Sequence, residues 1–212
     1  MNYRKYSVIV FDLGNVLIPF NYDIVKEKIE KIEKGLGEKF MNLYAENYHV
    51  HRDYECSKLT TEQFLSIMIE WLDNKIDTEN FCKIFSEIFT ENKEVSALLP
   101  ILKKDYKLVL LSNTNYIHQK YGWEQSWFVS LFDKLVLSYQ VGANKPDLKI
   151  YKAVEEFTQL PPEEHLFIDD VADYAQGARN AGWDAIQFIG YNDLIEQLKL
   201  RGIINNSVNS IS

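Results

Sequence analysis

Two cysteines in 212 residues, Cys56 and Cys82, are too few for a disulfide framework and too isolated for a thiolate metal site. Long apolar runs are missing too, and nothing approaches the length of a membrane span. No stretch gathers Lys and Arg into a stripe, and 23 basic against 31 acidic residues leave a net charge of -8. That balance argues against nucleic acid or an anionic membrane surface as the main partner. The opening MNYRKY is charged, but the apolar stretch after it, residues 8–11, is far too short for a signal segment. The expectation is a soluble, cytoplasmic protein. Repeats and low-complexity tracts are absent, although residues 205–212 (NNSVNSIS) read as a frayed tail.

What is present is ordinary globular material, 46% hydrophobic and 25% charged, enough for one domain carrying an insertion. Residues 7–11 (SVIVF) read as a fully apolar strand suited to the centre of a parallel sheet. The same texture returns at 107–111, 134–137, 166–168 and 184–189. Helical periodicity fills the spaces at 92–104, 147–157, 172–182 and 192–200, with Gly182 placed to end the third. Strands alternating with helices imply a mostly parallel, doubly wound α/β sheet. Residues 22–90 break that alternation with helical periodicity alone, as at 24–32, 60–72 and 81–89. The expected organisation is a core made of residues 1–15 and 91–212, with 16–90 inserted as a helical cap.

In such sheets ligands bind beyond the carboxyl ends of the strands, near the point where strand order reverses. The residues found there are Asp12 and Gly14, then Ser112, Asn113 and Thr114, then Asp169 and Asp170; Lys145 precedes a helix. A carboxylate can attack phosphorus and divide one hard displacement into two easier ones, provided the accumulating negative charge is offset. Asp12 and Asp170 would offer hard oxygen ligands to Mg²⁺, and Lys145 a compact positive charge to phosphate. Ser112 and the amides after it would donate to the same phosphate. Each has a plainer reading. An Asp after a strand is commonly a turn or cap residue, and Ser112 and Asn113 are natural helix caps. Adjacent carboxylates repel, so a cation is the simpler reason for Asp169 beside Asp170.

Four segments in order, FDLGNVL (11–17), LLSNTN (110–115), NKPD (144–147) with Ile150 and Tyr151, and FIDD (167–170), resemble the haloacid dehalogenase superfamily. The resemblance is to its phosphatase branch with a helical cap, similar to phosphatases of α-D-glucose-1-phosphate type and to the phosphatase domain of soluble epoxide hydrolase. It implies a Rossmann-like core and a Mg²⁺-dependent phosphomonoester hydrolase acting on small phosphorylated metabolites, sugar phosphates above all. Asp12 is then the nucleophile, and Ser112, Asn113 and Lys145 hold the phosphate. Asp170 binds magnesium with the Gly14 carbonyl, supported by Asp169.

Two departures qualify that picture. Most phosphatases of the family place an aspartate, as acid and base, where this chain has Gly14; losing such a group typically costs about 10²–10⁴ in rate. Tyr174 stands where relatives often have Asn, and Asp173 beside it is a candidate substitute. Either the substrate has a good leaving group, such as an anomeric or acyl phosphate, or a cap side chain such as His49 or His51 supplies the acid. His49, His51 and Arg52 are the cap's candidates for substrate contact, although surface placement is the default for such residues. Cys56 replaces an Arg of the resembling phosphatases. Trp123 and Trp127 read as packing residues, and His118 and His165 as structural. A dehalogenase and a catalytically feeble binding module remain as alternatives.

Overall fold

The computed structural model describes residues 5–205, and the tail expected to fray lies outside the described residues from 206 onward. Strands β1 (Val8–Phe11), β2 (Lys107–Ser112), β3 (Lys134–Leu137), β4 (His165–Asp169) and β5 (Asp184–Gln187) form one parallel sheet. Their order is β3-β2-β1-β4-β5. The chain works outward from β1 through β2 to β3, then returns to the other side of β1 for β4 and β5. The crevice at the carboxyl ends of β1 and β4 is therefore the switch point.

The insertion that follows β1 carries the helices α1 (Asp23–Glu30), α2 (Leu36–Glu46), α3 (Tyr48–Glu55), α4 (Thr61–Trp71) and α5 (Thr78–Ser86). They close on an apolar centre of their own that includes Val25, Phe40, Phe64, Met68, Phe81 and Phe85. Thr60 and Gln63 form a reciprocal capping box that fixes the start of α4. The insertion joins the core through a two-stranded neck. Phe20 and Phe89 pair across it, the Asn21 amide donates to the Ile88 carbonyl at 3.0 Å, and the Thr90 amide to the Pro19 carbonyl at 2.8 Å. Away from the neck, the Asn144 side chain donates to the Arg52 carbonyl at 3.3 Å, and the Ser57 hydroxyl to the Tyr139 carbonyl.

The sheet is buried on both faces, so its strands need no polar alternation. Ile9, Phe11, Leu108 and Leu166 point into one layer, shared with α6 (Lys93–Ser96) and α7 (Leu99–Leu102). Val8, Val10, Val109 and Phe167 point into the other. The single helix expected over 92–104 is in fact this α6–α7 pair. Pro100 has no N–H to donate to the Ser96 carbonyl four residues back, and its ring crowds that carbonyl, so α6 ends at Ser96.

After β2 comes the short helix α8 (Tyr116–His118), and after β3 the turn of helix α9 (Ser138–Val141). The second layer is completed by α10 (Leu148–Thr158), capped by Asp147, and α11 (Ala172–Asn180). Gly182, at φ 92°, ends α11 as expected, and the Trp183 amide beyond it returns to the Ala178 carbonyl. The final helix α12 (Tyr191–Leu200) packs on the first layer through Leu194 and Leu198. No helix among the described residues is long and apolar enough to cross a membrane.

Candidate active site

Lys145 is the hub of the crevice. Its side chain is 1% exposed, and its Nζ donates to Asp12 Oδ1 at 2.6 Å, to Asp169 Oδ2 at 2.6 Å and to the Leu111 carbonyl at 3.2 Å. All three donors of the ammonium are thus used, which is what burying a lysine requires. Rings flank it as well, with Phe167 at 5.4 Å and Tyr174 at 5.1 Å from Nζ. The residue is held from behind by Asn113, whose Oδ1 accepts from the Lys145 amide at 2.7 Å and whose Nδ2 donates to its carbonyl at 3.3 Å. Burial alone would push the lysine down, but Asp12 and Asp169 outweigh it and raise its pKa, so the ammonium is held charged.

Asp12 follows β1, its amide bonded to the Ile168 carbonyl at 2.9 Å. Burial pushes its carboxyl up, against the pull of Lys145, and Asp169 pushes the same way as burial. Asp169 ends β4, fully buried, with its Oδ1 accepting from the Val171 amide at 2.8 Å. Asp170 is half-buried and accepts from Asn15 at 3.1 Å; burial pushes it up too. Carboxylate oxygens of Asp12, Asp169 and Asp170 lie within 4.8 Å of one another. Three hard oxygen donors at the mouth of a crevice fit a magnesium ion, which keeps several waters and takes few protein ligands. The Gly14 carbonyl accepts from the Val16 amide at 2.7 Å and has one lone pair to spare.

Two cavities meet over this cluster. The lower, about 170 Å³, is lined by Asp12, Gly14, Asn15, Arg52, Lys145, Asp170 and Tyr174. The upper, about 100 Å³, runs beneath the insertion past Ser112, Asn113, Thr114, His118 and Trp123. Gly14, Phe20, Tyr48, Glu55 and Asn113 border both. Ser112 and Asn113 do not cap a helix; that task belongs to Asn115, whose side chain accepts from the His118 amide.

The candidates from α3 separate. Arg52 faces the lower cavity, whereas His49 is exposed and borders neither. His51, expected at the surface by default, is buried. Its Nδ1 meets the Tyr44 hydroxyl at 2.8 Å and its Nε2 meets Glu55 Oε1 at 3.1 Å. Glu55, which the sequence reading passed over, is buried between His51 and Arg52, with Arg52 Nη1 3.1 Å from its Oε2. A signal for it existed, because Val50–Tyr54 and His51–Glu55 both repeat at a spacing of four on one face of α3. Burial pushes the Glu55 carboxyl up, but His51 and Arg52 together outweigh it and hold the group below its ordinary value.

Asp173 is exposed and stands outside the carboxylate cluster. His165 is structural as expected, bonded to Thr158 and stacked on Trp183. Trp123 is buried, but Trp127 is 50% exposed, because its indole N–H reaches out to Glu91.

Residues 6–182 match the family described as haloacid dehalogenase-like hydrolase. The chain belongs to that family. It is a hydrolase, and several of its relatives are named as phosphatases. It is 26% identical over 190 residues to the D-ribitol-5-phosphate phosphatase of Bacteroides thetaiotaomicron, covering 84% of this chain and 90% of that one. It is 27% identical over 189 residues to a phosphorylated carbohydrates phosphatase of Thermotoga maritima, covering 85% and 83%. A Bacteroides thetaiotaomicron enzyme of the family, solved with magnesium and inorganic phosphate, superposes with a TM-score of 0.75 at 26% identity, over 85% of this chain and 93% of that one.

Proposed function

We propose that this haloacid dehalogenase-like hydrolase is a Mg²⁺-dependent phosphomonoesterase that forms a covalent aspartyl-phosphate, an acyl phosphate, on Asp12 and acts on small phosphorylated sugars or polyols. The observation that carries the proposal is the buried Lys145 ammonium clasped between Asp12 and Asp169, with Asp170 beside them, at the switch point of the sheet. Asp12 attacks phosphorus. Lys145 orients that carboxylate and offsets the charge that builds as two anions meet. Ser112 and the amides at the end of β2 receive the phosphate oxygens, and Asn113 keeps Lys145 in register with them. A magnesium ion held by Asp12, Asp170 and the Gly14 carbonyl would neutralise further phosphate charge, and Asp169 would support its ligands. Water then cleaves the aspartyl-phosphate.

Residues 16–90 act as a cap that shields the first step from water and faces the leaving group. No acid or base stands at position 14. The relative's named substrate is nonetheless a primary alkyl phosphate, which weighs against a strict need for an activated leaving group. The location we propose is cytoplasmic.

The test is phosphate release from a panel of sugar, polyol, acyl and nucleoside phosphates, with and without Mg²⁺. Metal-dependent turnover abolished by Asp12→Asn is the expected result. Silence across the whole panel would instead favour a binding module.

A further inference from the structure

The upper cavity contains a carboxylate for which the phosphoryl chemistry has no use. Glu55 is buried on α3, and carboxylates are almost never buried without partners. It has two, His51 Nε2 on one oxygen and Arg52 Nη1 on the other, each at 3.1 Å. Each carboxylate oxygen accepts about two hydrogen bonds, so capacity remains on both. Glu55 also borders both cavities, at the boundary between the phosphate side and the closed side.

Donors line the same cavity. The Trp123 indole N–H is buried and has no hydrogen-bond partner. His118 accepts at Nδ1 from Asn115 Nδ2, at 3.2 Å, which puts the proton of the neutral ring on Nε2. That Nε2 has no partner of good geometry, although the Phe85 carbonyl lies near enough to favour the protonated ring. A cavity lined by an acceptor-only carboxylate and by N–H donors is complementary to hydroxyls, which do both. The cavity holds about 100 Å³, roughly three waters' share of liquid and well under the ~300 Å³ of a drug-sized site. It suits a chain of a few hydroxylated carbons.

We propose that Glu55 determines specificity, accepting hydrogen bonds from the hydroxyls of a short, neutral polyol leaving group seated in the upper cavity. This rests on the phosphatase reading. A second anion on the leaving group would meet the ionised Glu55, whose Arg52 partner is already engaged, in a confined space, so phosphorylated hydroxy acids are disfavoured.

The test compares kcat and KM of wild type and Glu55→Gln on glycerol 3-phosphate, a pentitol phosphate, phosphoglycolate and acetyl phosphate, the last having no hydroxyl. Glu55→Gln is expected to lower kcat/KM for the two polyol phosphates about tenfold more than for acetyl phosphate, chiefly through KM, and to narrow the gap to phosphoglycolate. Trp123→Phe, which deletes the N–H and keeps a ring, moves the same ratio in the same direction and serves if Glu55→Gln does not fold. An equal loss on all four substrates would make Glu55 a structural tie and overturn the proposal. So would wild-type preference for phosphoglycolate. If wild type releases phosphate from none, acetyl phosphate included, the phosphatase reading falls first.

Discussion

Phe20 stands over Gly14: a Cβ at position 14 would lie 3.1 Å from Phe20 Cε1. The space in which related phosphatases carry an acid–base aspartate is therefore edged by a ring, which is 42% exposed and packs edge-on against Tyr22 and Phe89.

Gly14→Asp alone is expected to fold with a small loss of stability. Combined with Phe20→Ala it should raise steady-state turnover of alkyl phosphates by about tenfold or more over either single variant, within the range a positioned acid–base group supplies. Pre-steady-state bursts of the released alcohol check this, since on the proposed mechanism the gain belongs mainly to hydrolysis of the phospho-enzyme, and a faster second step shrinks the burst. Equal rates for the double variant and wild type would show that acid–base chemistry does not limit turnover.

Lys145 is the counter-charge of two buried carboxylates. Lys145→Met leaves Asp12 and Asp169 facing each other without a cation, and breaking a buried pair costs about 3–5 kcal/mol. Denaturant unfolding measures that cost at low Mg²⁺. Phosphate release should vanish as well, whereas Lys152→Met, an exposed lysine on α10, should change neither.

Gly177 tests whether packing behind the site positions it. A Cβ there would lie 2.6 Å from the Tyr151 hydroxyl and 2.8 Å from Pro146 Cβ, so Gly177→Ala must push α11 away from the loop that carries Lys145. Overpacking of this kind costs about 1–3 kcal/mol. The expected signature is a fall in kcat larger than any change in KM, read from steady-state kinetics beside a thermal unfolding curve.

His118 supplies a pH dependence. Burial, with His51 nearby, holds its pKa well below the ordinary 6.5, so the folded ring stays neutral where the unfolded one takes up a proton. The stability it permits is whole above pH 6.5 and declines as pH falls below that, at up to about 1.4 kcal/mol per pH unit. The raised Asp12 and Asp170 carboxyls contribute with the opposite sign over the same range. The slope is therefore read from the difference in unfolding free energy between wild type and His118→Asn at pH 7.5, 6.5 and 5.5, in which they cancel. His165, lowered mainly by burial, adds a second contribution of the same sign and survives in the variant.

The sheet was legible because its strands are short apolar runs separated by turn residues, and the chemistry sits where each run stops, at Asp12, Ser112 and Asp169. Lys145 was legible as a residue but not as a buried one, since nothing local shows that Asp12 and Asp169 converge on it. Glu55 was hidden for a related reason. A glutamate on a polar-looking helix reads as solvated until Tyr44, Phe85 and His118, from three other elements, are seen to wall in the His51 beside it. The break at Pro100 could have been anticipated from the missing amide alone.

The neck carries a consequence for mechanics. The chain departs the sheet and comes back through hydrogen-bonded neighbours, so the whole bundle is spliced in at a spot no wider than a hairpin. The register of the five-stranded sheet is set without it, since β1 pairs with β2 and β4. Phe20 lies on that splice and pairs with Phe89 across it. A swing of the bundle about the splice would carry the ring with it, so such a motion would also change the room available at position 14.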